Sequence, residues 1–147
     1  MSEEKSISNL DYLAAKHSQE IIRRVVEKEE TQKNRGQGEK KSKQQLASEL
    51  DNTVTKALGV LQENGIYACF LYLLAKEKDI GKVVIGEMLN LLEELPFEWR
   101  KPADDSTEEV LGYISEKVTA DLERLLIAKD TLERMLIYAR YGAKARG

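Results

Sequence analysis

The chain has 147 residues and a mass of 16.7 kDa, with 41% hydrophobic residues, 33% charged residues and a net charge of −3. This length predicts one domain, residues 1–147, with a substantial hydrophobic core. The near-neutral charge argues against a protein whose whole surface binds nucleic acid, and two prolines with little apolar alternation argue against a β-sandwich or barrel. We expect an all-α, single-domain bundle of about six helices.

Nothing in the sequence predicts secretion or membrane insertion. The first residues, MSEEKSISNL, contain no apolar signal region, and the uncharged run Ile66–Ala75 is half the ~20 residues that a membrane span needs. The one cysteine, Cys69, lies inside that run and has no second cysteine to pair with. We expect a cytoplasmic protein with no membrane partner.

The first predicted elements are an amphipathic helix and a basic loop. Ser8 followed by Asp11 predicts the start of a helix that extends to about Glu30. Its apolar-face positions recur at helical spacing: Leu10, Leu13, Ala14, His17, Ile21 and Val25. The next segment, TQKNRGQGEKKSK at 31–43, has no apolar residue and predicts a flexible basic loop.

A second helix is predicted from a capping box to a glycine. Ser42 with Gln45 resembles the capping box, and Gly65 is expected to adopt a positive φ where the helix ends. A Schellman ending at this glycine predicts a contact between Ile66 and Leu61. The buried face is expected to consist of Leu46, Leu50, Val54, Ala57, Leu58 and Leu61.

A central apolar helix is predicted for residues 66–78. The run from Ile66 to Ala75 has no charge, and the following Lys-Glu-Lys favours a helix over a buried strand. A helix that is apolar around its circumference is expected to be buried on most sides.

Two further helices are predicted in the acidic middle of the chain. Asp79 is a candidate cap for a fourth helix, which Pro96 ends. Ser106 with Glu109 predicts a capping box at the start of a fifth helix after the loop PFEWRKPADD.

The last element is a long C-terminal helix from about Thr119 to Ala145. Segment 115–120 contains no clear breaker, so this helix and the fifth are either separate or continuous. The expected apolar side consists of Leu122, Leu125, Leu126, Leu132, Met135, Leu136 and Ala139.

Charge is segregated along the chain. Residues 31–43 hold five basic residues and one acidic residue, net +4, and residues 129–147 hold five and two, net +3. Residues 79–128 hold twelve acidic and five basic residues, net −7. Basic side chains on a loop and along a helix can follow a phosphate backbone without reading its bases.

The sequence offers few groups for catalysis. His17 stands at a core-facing position, and we expect it to be a packed or partly exposed side chain rather than a ligand or base. Cys69 is expected to be a small core residue with an unreactive thiol. We interpret Asp104 and Asp105 as surface carboxylates, and a metal site at these residues is a weaker alternative. We expect no enzyme activity, no cofactor and no small-molecule substrate.

Two segments resemble a known family. LQENGIYACFLYLLAKEK, Leu61–Lys78, and LLIAKDTLERMLIYARYGAKA, Leu125–Ala145, are similar to segments of the small helical subunit of the Cmr complex, the RNA-guided type III-B CRISPR effector. The chain departs from that pattern at Tyr138, where a tryptophan is expected nearby, and in its basic loop.

This resemblance implies a non-catalytic structural subunit in antiviral defence. Such subunits stack as an inner filament beside backbone subunits, in a complex that also has a large subunit, and help to accommodate guide and target RNA. The matching positions expected near RNA or neighbouring subunits are Lys76, Arg134, Arg140 and Lys144. Charge alone extends this set to the loop residues Lys33, Arg35, Lys40, Lys41 and Lys43. The implied partners are the other Cmr subunits, copies of this chain and, weakly, RNA.

A helical adaptor that binds a partner helix in a groove, without nucleic acid, is the alternative from another functional class. Exposed apolar surface left by the bundle would favour that function.

Overall fold

A computed structural model describes residues 9–27, 41–76 and 79–147. Within these ranges the chain forms six α-helices and no strand, so the predicted all-α bundle is confirmed. The helices are α1 (Leu10–Val25), α2 (Lys43–Asn64), α3 (Ile66–Lys76), α4 (Asp79–Glu94), α5 (Thr107–Tyr113) and α6 (Leu122–Arg146), with a π-helical segment at Ile114–Val118 before α6. Most of the predicted flexible loop, at 31–43, lies outside the described residues.

The core is built around α6, which packs against both α1 and α2. Its small and apolar residues Ala128, Leu132, Met135, Leu136, Ala139 and Ala143 are buried along this double contact. Ion pairs show the helix directions: Arg146 meets Glu27 just beyond the end of α1, so α1 and α6 are parallel, whereas Lys144 meets Asp51 near the start of α2. Helix α4 covers another side of α1 and runs antiparallel to it.

The start of α1 differs from the predicted cap. Asn9 occupies the N-cap position and its side chain makes no capping hydrogen bond. The Asp11 carboxylate, expected to serve the cap, instead accepts a hydrogen bond from the Tyr138 hydroxyl of α6. The contact of Asp11 with Tyr138 has therefore replaced the predicted capping contact. Ser8 lies outside the described residues.

The turn from α2 to α3 uses a single glycine. Helix α2 starts with the predicted capping box, in which Gln45 N–H donates to Ser42 Oγ at 3.0 Å and Ser42 N–H donates to Gln45 Oε1 at 3.1 Å. Gly65 has the expected positive φ, 99°, but its ψ of −179° is extended, so the predicted Schellman ending is wrong. Its N–H donates to the carbonyl of Leu61, and its own carbonyl accepts from Cys69 N–H. Gly65 therefore closes one helix and opens the next.

Helix α3 buries one face rather than its whole circumference. Ile66, Cys69, Phe70 and Leu73 are buried between α3 and its neighbours. Tyr67 and Leu71 on the opposite face are 41% and 44% exposed. The expected burial on most sides is therefore not found, because α3 packs on α2, α4 and α5 while the larger contact surfaces of the bundle are formed by α6.

The fifth helix has half of its predicted capping box. Glu109 N–H donates to Ser106 Oγ at 3.3 Å, but the Ser106 N–H donates to the Asp104 carboxylate at 2.9 Å. The reciprocal hydrogen bond from Ser106 N–H to the Glu109 side chain is absent because this N–H donates to Asp104 instead.

The fifth and sixth helices are separate. Residues 114–118 form a π-helical turn that closes with Thr119 N–H on the Ile114 carbonyl, and a short turn follows it. Asp121 then caps α6 by accepting from Arg124 N–H at 3.2 Å. The first turn of α6 lies outside the core: Leu122 and Leu126 are 68% and 54% exposed, contrary to the predicted apolar side.

Candidate functional site

A cleft lined mainly by charged side chains lies between α1 and α4. It has a volume of about 490 Å³. Its lining consists of Lys16, His17, Glu20, Arg23 and Arg24 from α1 and Glu87, Asn90, Glu93 and Glu94 from α4. Because both sets recur at steps of three or four residues, each forms one side of its helix. The antiparallel packing of the two helices then places them opposite each other.

His17 lies at the centre of this cleft with a carboxylate at each ring nitrogen. Nδ1 is 2.8 Å from Glu87 Oε1, and Nε2 is 2.9 Å from Glu94 Oε2. The side chains of His17 and Glu87 are 5% and 4% exposed, whereas that of Glu94 is 37% exposed. The imidazole therefore bridges a buried carboxylate and a partly exposed one.

Glu87 is held in its charged form by several donors. Burial alone would raise its pKa, but hydrogen bonds from His17, Arg24 and Asn90 outweigh that effect and hold the pKa of Glu87 below its ordinary value. The strongest visible partner besides the imidazole is Arg24, whose guanidinium donates to Glu87 Oε2 at 2.8 Å. Both oxygens of this buried carboxylate are therefore occupied.

Besides His17, Glu94 has a cationic partner on α1, Lys16. Lys16 Nζ lies 3.1 Å from each of the two Glu94 oxygens, and this hydrogen bond raises the pKa of Lys16. Lys16 and Glu94 are 45% and 37% exposed, so water competes for this pair.

The cluster joins α1 to α4 through contacts of His17 and Arg24 with carboxylates. Each ring nitrogen of His17 has a carboxylate partner on α4 in this arrangement. His17 was expected to be packed or partly exposed and is buried, but its carboxylate partners on α4 were not predicted. The only available signal was the spacing of Glu87 and Glu94, seven residues apart on one helix face.

The other candidate chemical groups are also engaged locally. Among the described residues, no group of three or more His, Cys, Asp or Glu side chains is placed to hold a metal ion. The backbone hydrogen bond from Ser106 lowers the pKa of Asp104, which is an exposed residue. Burial raises the pKa of the Cys69 thiol to about 12, and its Sγ donates to the Ala57 carbonyl at 3.4 Å.

Several basic residues predicted to meet RNA or other subunits have carboxylate partners within the chain. Lys144 Nζ lies 3.1 Å from Asp51 Oδ2, and Arg140 Nε lies 4.0 Å from Asp51 Oδ1. Arg134 pairs with Asp130 at 3.1 Å and with Asp11 at 3.8 Å. Lys144 and Arg134 therefore form ion pairs at the surface between α6 and its neighbours α2 and α1, whereas Arg140 Nε is buried without a hydrogen-bond partner among the described residues.

The remaining described basic candidates lie at or beside the ends of α2 and α3. Lys41 pairs with Glu49 at 3.0 Å. Lys43 and Lys76 are exposed, at the first residue of α2 and the last residue of α3. The predicted positions Lys33, Arg35 and Lys40 lie outside the described residues.

Two helices present exposed apolar pairs. Tyr67 and Leu71 are one turn apart on α3, and Leu122 and Leu126 are one turn apart at the start of α6. Both helices contact the π-helical segment Ile114–Val118. Asp121 caps the first turn of α6. Leu122 and Leu126 are therefore exposed on an ordered helix.

These features define an all-α bundle with a buried ionic cluster and exposed apolar helix faces. Comparison with known protein families, curated proteins and solved structures gave no significant match. Within the described part of the chain, no helix has the combination of length and apolar character needed to cross a membrane.

Proposed function

We propose that the protein is a non-catalytic structural subunit of an RNA-guided effector complex of the type III-B, or Cmr, kind. It would stack beside backbone subunits in the cytoplasm and contact copies of itself. The observation that carries the proposal is the exposure of apolar pairs on two ordered helices, Tyr67 with Leu71 and Leu122 with Leu126. Exposed apolar side chains on formed helices suit a chain that packs against other proteins.

The resemblance of Leu61–Lys78 and Leu125–Ala145 to the small Cmr subunit supplies the particular complex. The first segment contains Tyr67 and Leu71. The second contains Leu126, and Leu122 lies three residues before it. In the proposal, the faces that the isolated bundle leaves exposed are covered by neighbouring subunits.

Association with a backbone subunit tests the main proposal. The tagged chain should retain a type III-B backbone subunit at moderate salt, and Leu122→Ser with Leu126→Ser, or Tyr67→Ser with Leu71→Ser, should weaken that retention. Lys56→Ser is a suitable surface control on α2. Absence of association with the unmodified chain would refute the proposal.

RNA contact is the second part of the proposal, and it depends on the basic residues. If about five phosphates are engaged, the logarithm of affinity for single-stranded RNA should fall with the logarithm of salt at a slope near −3.5. Neutralising Lys43 and Lys76 should reduce that slope, whereas neutralising Lys144 should also weaken the α2–α6 contact. Binding that is insensitive to salt would contradict RNA contact through phosphates.

A helical adaptor with no nucleic-acid role is the second candidate. It is favoured by the pairing of Arg140 and Lys144 with Asp51, which leaves less free charge for phosphates. Retention of a protein partner without measurable RNA binding would support the adaptor over the effector subunit.

A further inference from the structure

The two contacts of His17 impose a condition on its protonation. An ionised carboxylate only accepts hydrogen bonds, and a neutral imidazole has only one N–H to donate. The contacts at Nδ1 and Nε2, 2.8 Å and 2.9 Å, are therefore both hydrogen bonds only when the ring carries two protons. The lowered pKa of Glu87 and the donation from Lys16 to both oxygens of Glu94 leave these carboxylates as acceptors.

The two ends of this bridge are not equivalent. Glu87 is 4% exposed, and the loss of a donor would leave one of its buried oxygens without a partner beside the ring. Glu94 is 37% exposed, is the last residue of α4 and retains Lys16. A ring with one proton is therefore expected to keep that proton on Nδ1, facing Glu87, while Glu94 turns toward Lys16 and water.

The surrounding charges come from the two helices that form the cleft. Helix α1 contributes Lys16, Glu20, Arg23 and Arg24, and α4 contributes Glu87, Glu93 and Glu94. Two ion pairs join α6 to the ends of α1, away from His17. Arg134 pairs with Asp11 near the start of α1, and Arg146 pairs with Glu27 just beyond its end. Among the described residues, α2 and α6 contribute no side chain to the lining of the cleft, so the response to proton loss is set by α1 and α4.

We propose that His17 is a proton-controlled latch between α1 and α4. With two protons it joins α1 to both Glu87 and Glu94, and with one proton it releases Glu94, so that Lys16 becomes the remaining ionic contact between α1 and the C-terminal end of α4. The contact of Glu87 with Arg24 holds the other end in both states. Loss of a proton thus loosens one end of this helix pair without separating it.

The ring nitrogens give a direct test, because His17 is the only histidine of the chain. Nitrogen NMR of the intact protein should show two ring N–H groups at low pH and the Nδ1–H tautomer after one proton is lost. Free histidine in water favours the Nε2–H tautomer, so the expected form differs from the default. An Nε2–H tautomer in the singly protonated protein would overturn the latch.

Hydrogen exchange tests the mechanical consequence at the two protonation states identified by NMR. After correction for intrinsic rates, amide protection around Lys16 and at the end of α4 should fall about fivefold when the proton is lost, because one charge-assisted bond at a partly exposed site is broken. Glu94→Gln should abolish this change, since its amide can either accept from Nε2–H or donate to a bare Nε2. Glu49→Gln, at a surface lysine pair on α2, should retain it. Unchanged protection in the unmodified protein, or an equal change in Glu94→Gln, would show that His17 is only a fixed structural bridge.

Discussion

Gly142 lies directly against Ile22 where α6 crosses α1. A β-carbon placed on Gly142 would be 2.2 Å from Ile22 Cδ1, which is closer than two non-bonded carbon atoms can approach. Gly142 therefore leaves room for the Ile22 side chain between α6 and α1, two parallel helices that together bury much of the core.

Gly142→Ala is expected to destabilise the bundle by an amount that depends on Ile22. Ile22 is buried, so moving its terminal methyl group should cost about 1–3 kcal/mol, offset by up to about 1 kcal/mol from the better helix propensity of alanine. Ile22→Val removes that methyl group and should cost about 0.5–1.5 kcal/mol alone. The double variant should be more stable than the sum of the two effects, by about 1 kcal/mol, in urea unfolding. Strictly additive effects would contradict the contact.

Gly65→Ala and Gly59→Ala are expected to change stability in opposite directions. Gly65 has a φ of 99°, where an L-residue is strained, so alanine should lower the free energy of unfolding by about 1–2 kcal/mol. Gly59 lies inside α2 with open space where a β-carbon would be added, so alanine should raise the free energy of unfolding by up to about 1 kcal/mol. Chemical denaturation of both variants provides the comparison, and destabilisation of equal size would mean that conformation at Gly65 is not the cause.

Glu87 should make the protein sensitive to acid. Its pKa is lowered in the folded state, so the unfolded chain binds more protons between the folded pKa and the ordinary value of 4.5. The stabilisation is thus fully present above about pH 5 and is lost as pH falls through the folded pKa. Glu87→Gln should cost about 2–3 kcal/mol at pH 7, because Arg24 loses its counter-charge and His17 loses its buried carboxylate partner.

The same variant should show a flatter fall in stability below pH 5. Urea unfolding at several pH values between 7 and 3 measures this difference, with Glu49→Gln as the control for an exposed glutamate. Parallel pH curves for Glu87→Gln and the unmodified protein would rule out Glu87 as the acid-sensitive group.

Cys69 should resist thiol reagents while the protein is folded. Its thiol is fully buried, and burial raises its pKa to about 12, so almost no thiolate is present at pH 8. Alkylation by iodoacetamide at pH 8 should be at least 100-fold slower than in urea, and mass spectrometry can follow it. Rapid modification of the folded protein would contradict this placement of α3.

The sequence predicted local structure correctly where residues close together in the chain interact. Ser42 and Gln45 form the predicted capping box, and Gly65 has the predicted positive φ. The apolar positions of α2, from Leu46 to Leu61, are all buried as expected. These features depend on spacing within one helix or on one residue's conformational range.

Contacts between residues that are far apart in the chain could not be predicted from the sequence. His17 and Glu87 are seventy residues apart, and only the antiparallel packing of α1 and α4 brings them together. The outward position of Leu122 follows from the turn before α6, which places the first turn of that helix beyond the core. Periodicity identifies an apolar side but does not say how far along a helix its partner extends.

The π-helical turn also bears on how the length of the chain can vary. Its closing bond from Thr119 to Ile114 spans five residues, one more than in an α-helix. Deleting one of the exposed residues 115–117 would restore ordinary α-helical spacing and leave Ile114 and Val118 three positions apart, still on the same side. This turn is therefore a place where a related chain could be one residue shorter without turning its buried residues toward water.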